Sequence, residues 1–337
     1  MLVIASMGCE LLVGADDYAL VGERPDASAG DGGDATLADG DATDANAPPP
    51  NFGDVTVLAR GQMGPRGIAL TATDVVWTNF DSDTLASTSK AGDGGTPGPM
   101  TGPDHDGCLD VVAYGSTLAW LNTKSGSLIV KPLATTAVEI KNCGTGVRLT
   151  QDAVNLFYVE LCYPDQFNLW RVPKAGPKAY VSQVSAPDGY GALVSDGISV
   201  FVAKPMGIQD VTVDAGLFAE TKGPALDVAV DATAVYWLQS DGTVNRRDKA
   251  AGATTQQLAT GQASLARLAL YEGDVFWTAG GASPDEGTVM VAPKNGALPA
   301  RMIAGKLSQP FGIAVDESGV YWTNTGDGTI AKADRLP

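Results

Sequence analysis

Four ionisable residues stand at the start of short apolar runs that otherwise resemble one another. They are Asp110 before Val111-Val112, Arg148 before Leu149, Asp227 before Val228-Ala229 and Arg267 before Leu268-Ala269. Two carboxylates and two guanidiniums at one repeated position can pair and fix the register of adjacent segments. They can equally line a polar mouth for a zwitterionic or sugar-like ligand. A second acidic set (Asp81, Asp83, Asp165, Asp241, Asp285, Glu286 and Asp327) lies in connecting loops. Clustered carboxylates of this kind could hold Ca2+, although Asp241-Gly242 and Asp327-Gly328 also read as ordinary turn dipeptides. The longest of these loops is 280–287, which makes Asp285 and Glu286 candidate contact residues. Other chemistry is scarce. His105 is the single histidine, so a multi-histidine metal centre cannot be built, and no Gly-x-Ser-x-Gly elbow lies near it.

The elements that must position these groups are announced by a repeat. Val75-Val-Trp-Thr-Asn79, Leu118-Ala-Trp-Leu-Asn122, Leu156-Phe-Tyr-Val-Glu160, Val200-Phe-Val-Ala-Lys204, Val235-Tyr-Trp-Leu-Gln239, Val275-Phe-Trp-Thr-Ala279 and Val320-Tyr-Trp-Thr-Asn324 are seven copies of one strand. Their centres are 43, 38, 44, 35, 40 and 45 residues apart. Five of the six tryptophans fall on that central position. Repeats of about 40 residues made of short strands and turns predict a β-propeller. Each copy reads as four strands: an apolar inner strand, the aromatic strand, a third strand entered through Gly-Thr, and a more polar outer strand. The fold class expected is all-β, a single seven-bladed ring.

The seventh copy has only three strands before the sequence ends, and the missing fourth is found at the other end. Asp54-Val-Thr-Val-Leu-Ala-Arg60 matches the outer-strand segment Pro299-Ala-Arg-Met-Ile-Ala-Gly305. Residues 54–60 should therefore pair with the C-terminal strands and close the ring, which removes two exposed edges.

The segment Pro310-Phe-Gly-Ile-Ala-Val-Asp316, followed by Val320-Tyr-Trp-Thr-Asn324 and Gly328-Thr-Ile330, resembles the NHL repeat. Tyr321-Trp-Thr-Asn324 also resembles the YWTD repeat of lipoprotein-receptor propellers, with Asn in place of the last Asp. Overall the pattern is most similar to bacterial cell-envelope proteins carrying GIAVD…VYWTN repeats. The resemblance implies a propeller over roughly residues 54–337 and leaves activity open, because one fold hosts many functions. It implies that a ligand would sit at the mouth of the central channel, where inner strands begin at Gly67, Asp110, Arg148, Ala192, Asp227, Arg267 and Gly312. A calcium-dependent, lactonase-like hydrolase of the type seen in other propellers is the catalytic alternative to a binding module.

The chain divides into residues 1–8, 9–50 and 51–337. Met1-Leu-Val-Ile-Ala-Ser-Met-Gly-Cys9 resembles the tail of a bacterial lipoprotein signal peptide, which would make Cys9 the lipidated residue. Residues 9–50 are rich in Gly, Ala, Asp and Pro and cannot bury a core, so a disordered tether is expected. Such a tether would hold a globular head roughly 30 Å from its anchor. The expected location is the bacterial cell envelope or, without the anchor, outside the cell. The net charge is −17, of which residues 10–54 carry −10. An acidic ring argues against nucleic acid and against docking on anionic lipid, leaving a protein or glycan ligand of the envelope as partner. Three cysteines remain. Cys143 and Cys162 fall at the same end of adjacent strands, which predicts a disulfide in an oxidising compartment, with Cys108–Cys143 as the rival pairing. A CxxC zinc pattern is absent.

Overall fold

The computed structural model describes residues 51–336, except 93, 98–99, 101–106, 124–125, 133–136, 141–143, 163–165, 175–178, 185–191 and 213–215. The expected signal segment, Cys9 and the tether lie outside the described residues, as do His105, Cys143 and Asp165. Among the described residues no helix is long and apolar enough to cross a membrane.

Seven antiparallel sheets form the blades of a propeller. After β1 (Phe52–Ala59), blade 1 holds β2 (Pro65–Leu70), β3 (Asp74–Asn79) and β4 (Thr84–Ser89). Blade 2 is β5 (Cys108–Tyr114), β6 (Thr117–Asn122), β7 (Ser127–Pro132) and β8 (Val138–Ile140). Blade 3 is β9 (Gly144–Gln151), β10 (Asn155–Cys162), β11 (Gln166–Pro173) and β12 (Ala179–Val184). Blade 4 is the most abbreviated, with β13 (Leu193–Ser195), β14 (Val200–Lys204), β15 (Gly207–Asp210) and β16 (Leu217–Glu220). Blade 5 is β17 (Ala225–Val230), β18 (Ala234–Gln239), β19 (Thr243–Asp248) and β20 (Gln256–Ala259). Blade 6 is β21 (Leu265–Tyr271), β22 (Asp274–Ala279), β23 (Gly287–Pro293) and β24 (Arg301–Leu307). Blade 7 is β25 (Pro310–Asp316), β26 (Gly319–Asn324) and β27 (Thr329–Arg335).

The predicted closure is present. β1 lies antiparallel on β27, with Val55 opposite Ala333 and Val57 opposite Ala331, as the fourth strand of blade 7. Blade 1 departs from the four-strand expectation, showing three strands among the described residues. The chain after β4 turns back on the closing strand: Gly94 N donates to Leu58 O and Arg60 N to Gly95 O, at 3.2 and 2.8 Å.

The aromatic strand is buried on both faces because its residues alternate between two seams. Each central residue faces the preceding blade, and the residue before it faces the following one. Trp277 packs with Tyr236 and Leu238 of blade 5, whereas Phe276 packs with Ile313 and Trp322 of blade 7. The same exchange recurs around the ring, so that seven apolar clusters fill the seven seams. At the seam between blades 3 and 4 the central residue is Val202 in place of the Trp or Tyr of the other blades, and Phe157 and Phe167 of blade 3 pack there. Gly-Thr entry to the third strand has a packing reason. Gly328 has φ +66° and Gly242 φ +82°, and a side chain at either would run into the backbone of Gln62 or Gln262 in the adjoining segment.

A second set of seam contacts runs around the face opposite the channel mouth. Asp152, Asp196, Asp231 and Asp316 recur after the inner strands and accept backbone N–H groups of their own turns. Three of them also hold the lysine that follows the third strand of the next blade: Lys249 on Asp196, Lys294 on Asp231 at 3.1 Å and Lys90 on Asp316 at 2.5 Å. These contacts place the recurring aspartates in inter-blade structure.

Candidate functional site

The inner strands converge on a central channel. Three threonines tie its lip together. Thr78, Thr278 and Thr323, each following the central tryptophan, accept the backbone N–H of Gly67, Arg267 and Gly312 in their own blades. Each then donates to a carbonyl of the next blade, namely Leu109 O, Phe311 O and Arg66 O, at 3.1, 2.6 and 3.0 Å. Blades 2 and 5 carry Leu121 and Leu238 at that threonine position. There an inner-strand aspartate makes the link. Asp110 Oδ2 accepts Leu149 N of blade 3 at 3.4 Å, and Asp227 Oδ2 accepts Leu268 N of blade 6 at 2.8 Å.

Asp110, Arg148, Asp227 and Arg267 line one cavity of about 370 Å³ at this end of the channel. Gly67, Ala192 and Gly312 line it as well, so all seven predicted inner-strand openings meet there. The rest of its wall includes apolar inner-strand residues such as Ile68, Val111 and Ile313. The charge pairing differs from a neighbour-to-neighbour pattern. The Arg267 guanidinium stands 3.8 Å from Asp110 Oδ1, joining blade 6 to blade 2 across the channel instead of meeting Asp227 of adjacent blade 5. Both groups are largely enclosed, with side-chain exposures of 15% and 12%.

Burial pushes the Asp227 carboxyl above the usual carboxylate range. The positive charge of Arg267, the Leu268 N–H and the charge of Arg148 pull it back, while Asp110 adds to the rise. The four groups therefore share one electrostatic environment, with formal charges that cancel. Such a mouth can orient a molecule carrying both signs of charge, or hydroxyl groups that take both donors and acceptors.

Asp285 and Glu286 are not part of this wall. Asp285 has φ +65° in a compact loop closed by Glu286 N to Ser283 O at 3.2 Å. Asp241 and Asp327 accept the backbone and hydroxyl groups of Thr243 and Thr329 in their own turns. Asp83 accepts Gly107 N at 2.7 Å. Among the described residues no three His, Cys, Asp or Glu side chains are grouped to hold a metal ion.

The cysteines are described in part. Cys162 stands opposite Gly144 in the β9–β10 register, and Cys143, its expected partner, lies outside the described residues. Cys108 is buried, with Sγ 3.5 Å from Asn122 Oδ1.

Two groups near the mouth went unnoticed in the sequence. Glu160 is fully buried in β10 and accepts the indole N–H of Trp170, the one tryptophan off the repeat position. Arg66, Phe80 and Phe311 form a stacked cluster on the lip: the Arg66 guanidinium lies 4.1 Å from the Phe80 ring centre and 5.8 Å from that of Phe311. The signal for the second group was present. In the copies around them, the position held by Arg66 and Phe311 carries Leu109, Val147, Leu226 and Ala266.

Fold and site together define a seven-bladed β-propeller with a charged channel mouth. Solved structures of similar architecture include virginiamycin B lyase from Staphylococcus aureus, at 12% identity and a TM-score of 0.64 over 84% of this chain and 99% of that one. A catalytically inactive variant of the same lyase with quinupristin gives 11% identity and a TM-score of 0.65 over 85% and 100%. The WD40 β-propeller domain of Doa1 gives 13% and 0.66 over 85% and 98%. At these identities the likeness is one of fold alone. No protein-family model and no curated protein matches the sequence.

Proposed function

We propose that this protein is a non-catalytic binding module of the bacterial cell envelope, tethered through residues 9–50 and lipidated at Cys9, which takes a protein or glycan ligand at its channel mouth. The observation that carries the binding role is the convergence of Asp110, Arg148, Asp227 and Arg267, from four blades, on one cavity at the channel mouth. A concave site on which a few polar groups converge is a common form of ligand pocket.

The donor set speaks for charge recognition over calcium capture. Asp110 faces a guanidinium and a backbone N–H, and Asp227 accepts a backbone N–H between two arginines. A calcium-dependent hydrolase would need at least three oxygen ligands turned toward one point.

The test is a ligand screen on the full chain, using amino acids, short peptides and cell-wall saccharides, repeated with Arg148→Gln and Asp227→Asn. A ligand that binds the native chain and is lost in both variants supports the mouth as the site; binding unchanged in both refutes it. A chelator-sensitive rise in melting temperature with Ca2+ would move the reading to the hydrolase. For the anchor, incorporation of labelled palmitate should vanish in Cys9→Ser.

A further inference from the structure

Arg66 is one of the ring's cations that lie over aromatic side chains, and it contacts two of them. Its guanidinium stacks on Phe80 and Phe311, and among the described residues it makes no ion pair and no side-chain hydrogen bond. Arg246, Lys249, Arg267, Lys294 and Arg335 also lie over aromatic rings with a carboxylate within 4 Å, Lys174 and Arg247 bond backbone carbonyls, and Arg301, over the single ring of Phe52, resembles Arg66 in making no ion pair among the described residues. Asp81, the residue after Phe80, does not pair with Arg66. Stacking uses the faces of the guanidinium and leaves its edge N–H donors unoccupied. A planar fork of donors held in place by two rings is a preorganised receptor for a planar anion.

Position strengthens the argument. Phe311 is shared: the guanidiniums of Arg66 and Arg267 lie 5.8 and 4.6 Å from its ring centre. Arg267 lines the channel cavity, so Arg66 stands on the lip one phenyl ring away from it. The backbone here is fixed: Arg66 O accepts Thr323 Oγ1, and Phe311 O accepts Thr278 Oγ1, which also receives Arg267 N. The acidic pair Asp110 and Asp227 lines the cavity itself, whereas Arg66 does not. A monoanion on the lip tolerates them better than a phosphate dianion does, since like charges at close range in a partly dry site repel strongly.

We propose that Arg66, set over the rings of Phe80 and Phe311, receives a carboxylate of the ligand bound at the channel mouth. The inference rests on the mouth being the ligand site. A carboxylate could come from an acidic saccharide or from a peptide C-terminus, and the chemistry at Arg66 is the same for both.

The experiment is titration of the full chain, followed by calorimetry and ligand-observed NMR, with glucuronate and N-acetylglycine. Glucose and N-acetylglycinamide serve as their uncharged counterparts. At least one carboxylate should bind, with its uncharged counterpart weaker by roughly tenfold or more, the scale of a bidentate charged hydrogen bond. Arg66→Gln should remove that difference. Arg66→Lys, which keeps the charge and loses the fork, should remove most of it, with melting temperatures confirming that both variants fold. Binding of glucuronate alone supports an acidic saccharide, and of N-acetylglycine alone a peptide terminus. Failure of both carboxylates to bind, or equal binding to native chain and Arg66→Gln, overturns the proposal. If an uncharged probe still binds and Arg148→Gln abolishes it, the mouth survives as the site while the carboxylate assignment falls. If no probe responds to Arg148→Gln either, both fall together.

Discussion

Gln62 offers a sharp test of how the seam between blades 7 and 1 is held. Its side chain is buried, and its Oε1 accepts both Trp77 Nε1 at 3.0 Å and Asn79 Nδ2 at 2.9 Å, while its own Nε2 donates to Arg60 O at 2.9 Å. Gln62→Leu preserves volume and removes the acceptor. Asn79 has a second acceptor in Thr84 Oγ1 at 3.3 Å, so the group left stranded is the Trp77 indole N–H. Stranding one buried donor costs about 1–3 kcal/mol. Added leucine burial offsets part of this, so a net loss of about 1–2 kcal/mol is expected. The assay is urea unfolding followed by circular dichroism, with Trp77→Phe and the double variant completing a cycle. In the Trp77→Phe background the cost of Gln62→Leu should shrink, because no indole donor remains to be stranded. Equal costs in both backgrounds, or a cost near zero in the native one, would refute the reasoning. Blade 7 provides the converse. Leu307 pairs with Gly287 much as Gln62 bonds Gly328, and the Trp322 indole N–H has no partner among the described residues. Leu307→Gln should therefore cost far less than a glutamine placed in an apolar seam normally does.

Deleting residues 51–61 should lower the melting temperature of the whole ring in a single transition, because β27 would lose its partner and the 7–1 seam would lose Leu58 and Ala59; a melt unchanged in midpoint would contradict closure. Gly312→Ala should destabilise by about 1–3 kcal/mol in denaturant unfolding, since a Cβ there would overlap the carbonyl oxygen of Arg66 across the same seam. Burial raises the Asp274 carboxyl to about 6, only partly countered by Arg335 and Arg301. A folded-state value above the unfolded one favours the protonated form, so this group's contribution is fully present below about pH 4 and is lost as pH rises through 6. Asp274→Asn should then stabilise the protein at pH 7.5, by about 1 kcal/mol after allowance for solvent screening, and leave it unchanged at pH 4; equal effects at both values, measured by thermal melting, would count against it.

The ring was legible because its signal is redundant. Trp77, Trp120, Trp237, Trp277 and Trp322 repeat one packing role in five of the seven blades, and a strand buried on both faces cannot vary freely. The lone match between residues 54–60 and the outer strands was enough to locate the closing strand. The mouth residues were legible for a related reason: once the repeat is framed, Asp110, Arg148, Asp227 and Arg267 must open inner strands. Their partners were not. Arg267 meets Asp110 three blades away because a long side chain spans the narrow channel, and sequence spacing carries no information about that reach. Arg66 and Phe311 were missed because they sit at a position where other copies place small or aliphatic residues, so the period that reveals the fold conceals the exception. Glu160 was masked in the same way, standing where Asn79, Asn122 and Asn324 make ordinary strand ends.

Leu336 N donates to Asn51 O at 2.8 Å, so both ends of the described chain leave the ring at a single point on blade 7. A fusion at either end therefore emerges from the same spot, facing the same way. Circular permutation follows from this geometry: a few residues joining 336 to 51 would let the chain be reopened in the exposed turn of another blade. A mechanical load drawn through residue 51 would fall first on the β1–β27 ladder, making that pair the latch whose release opens the circle.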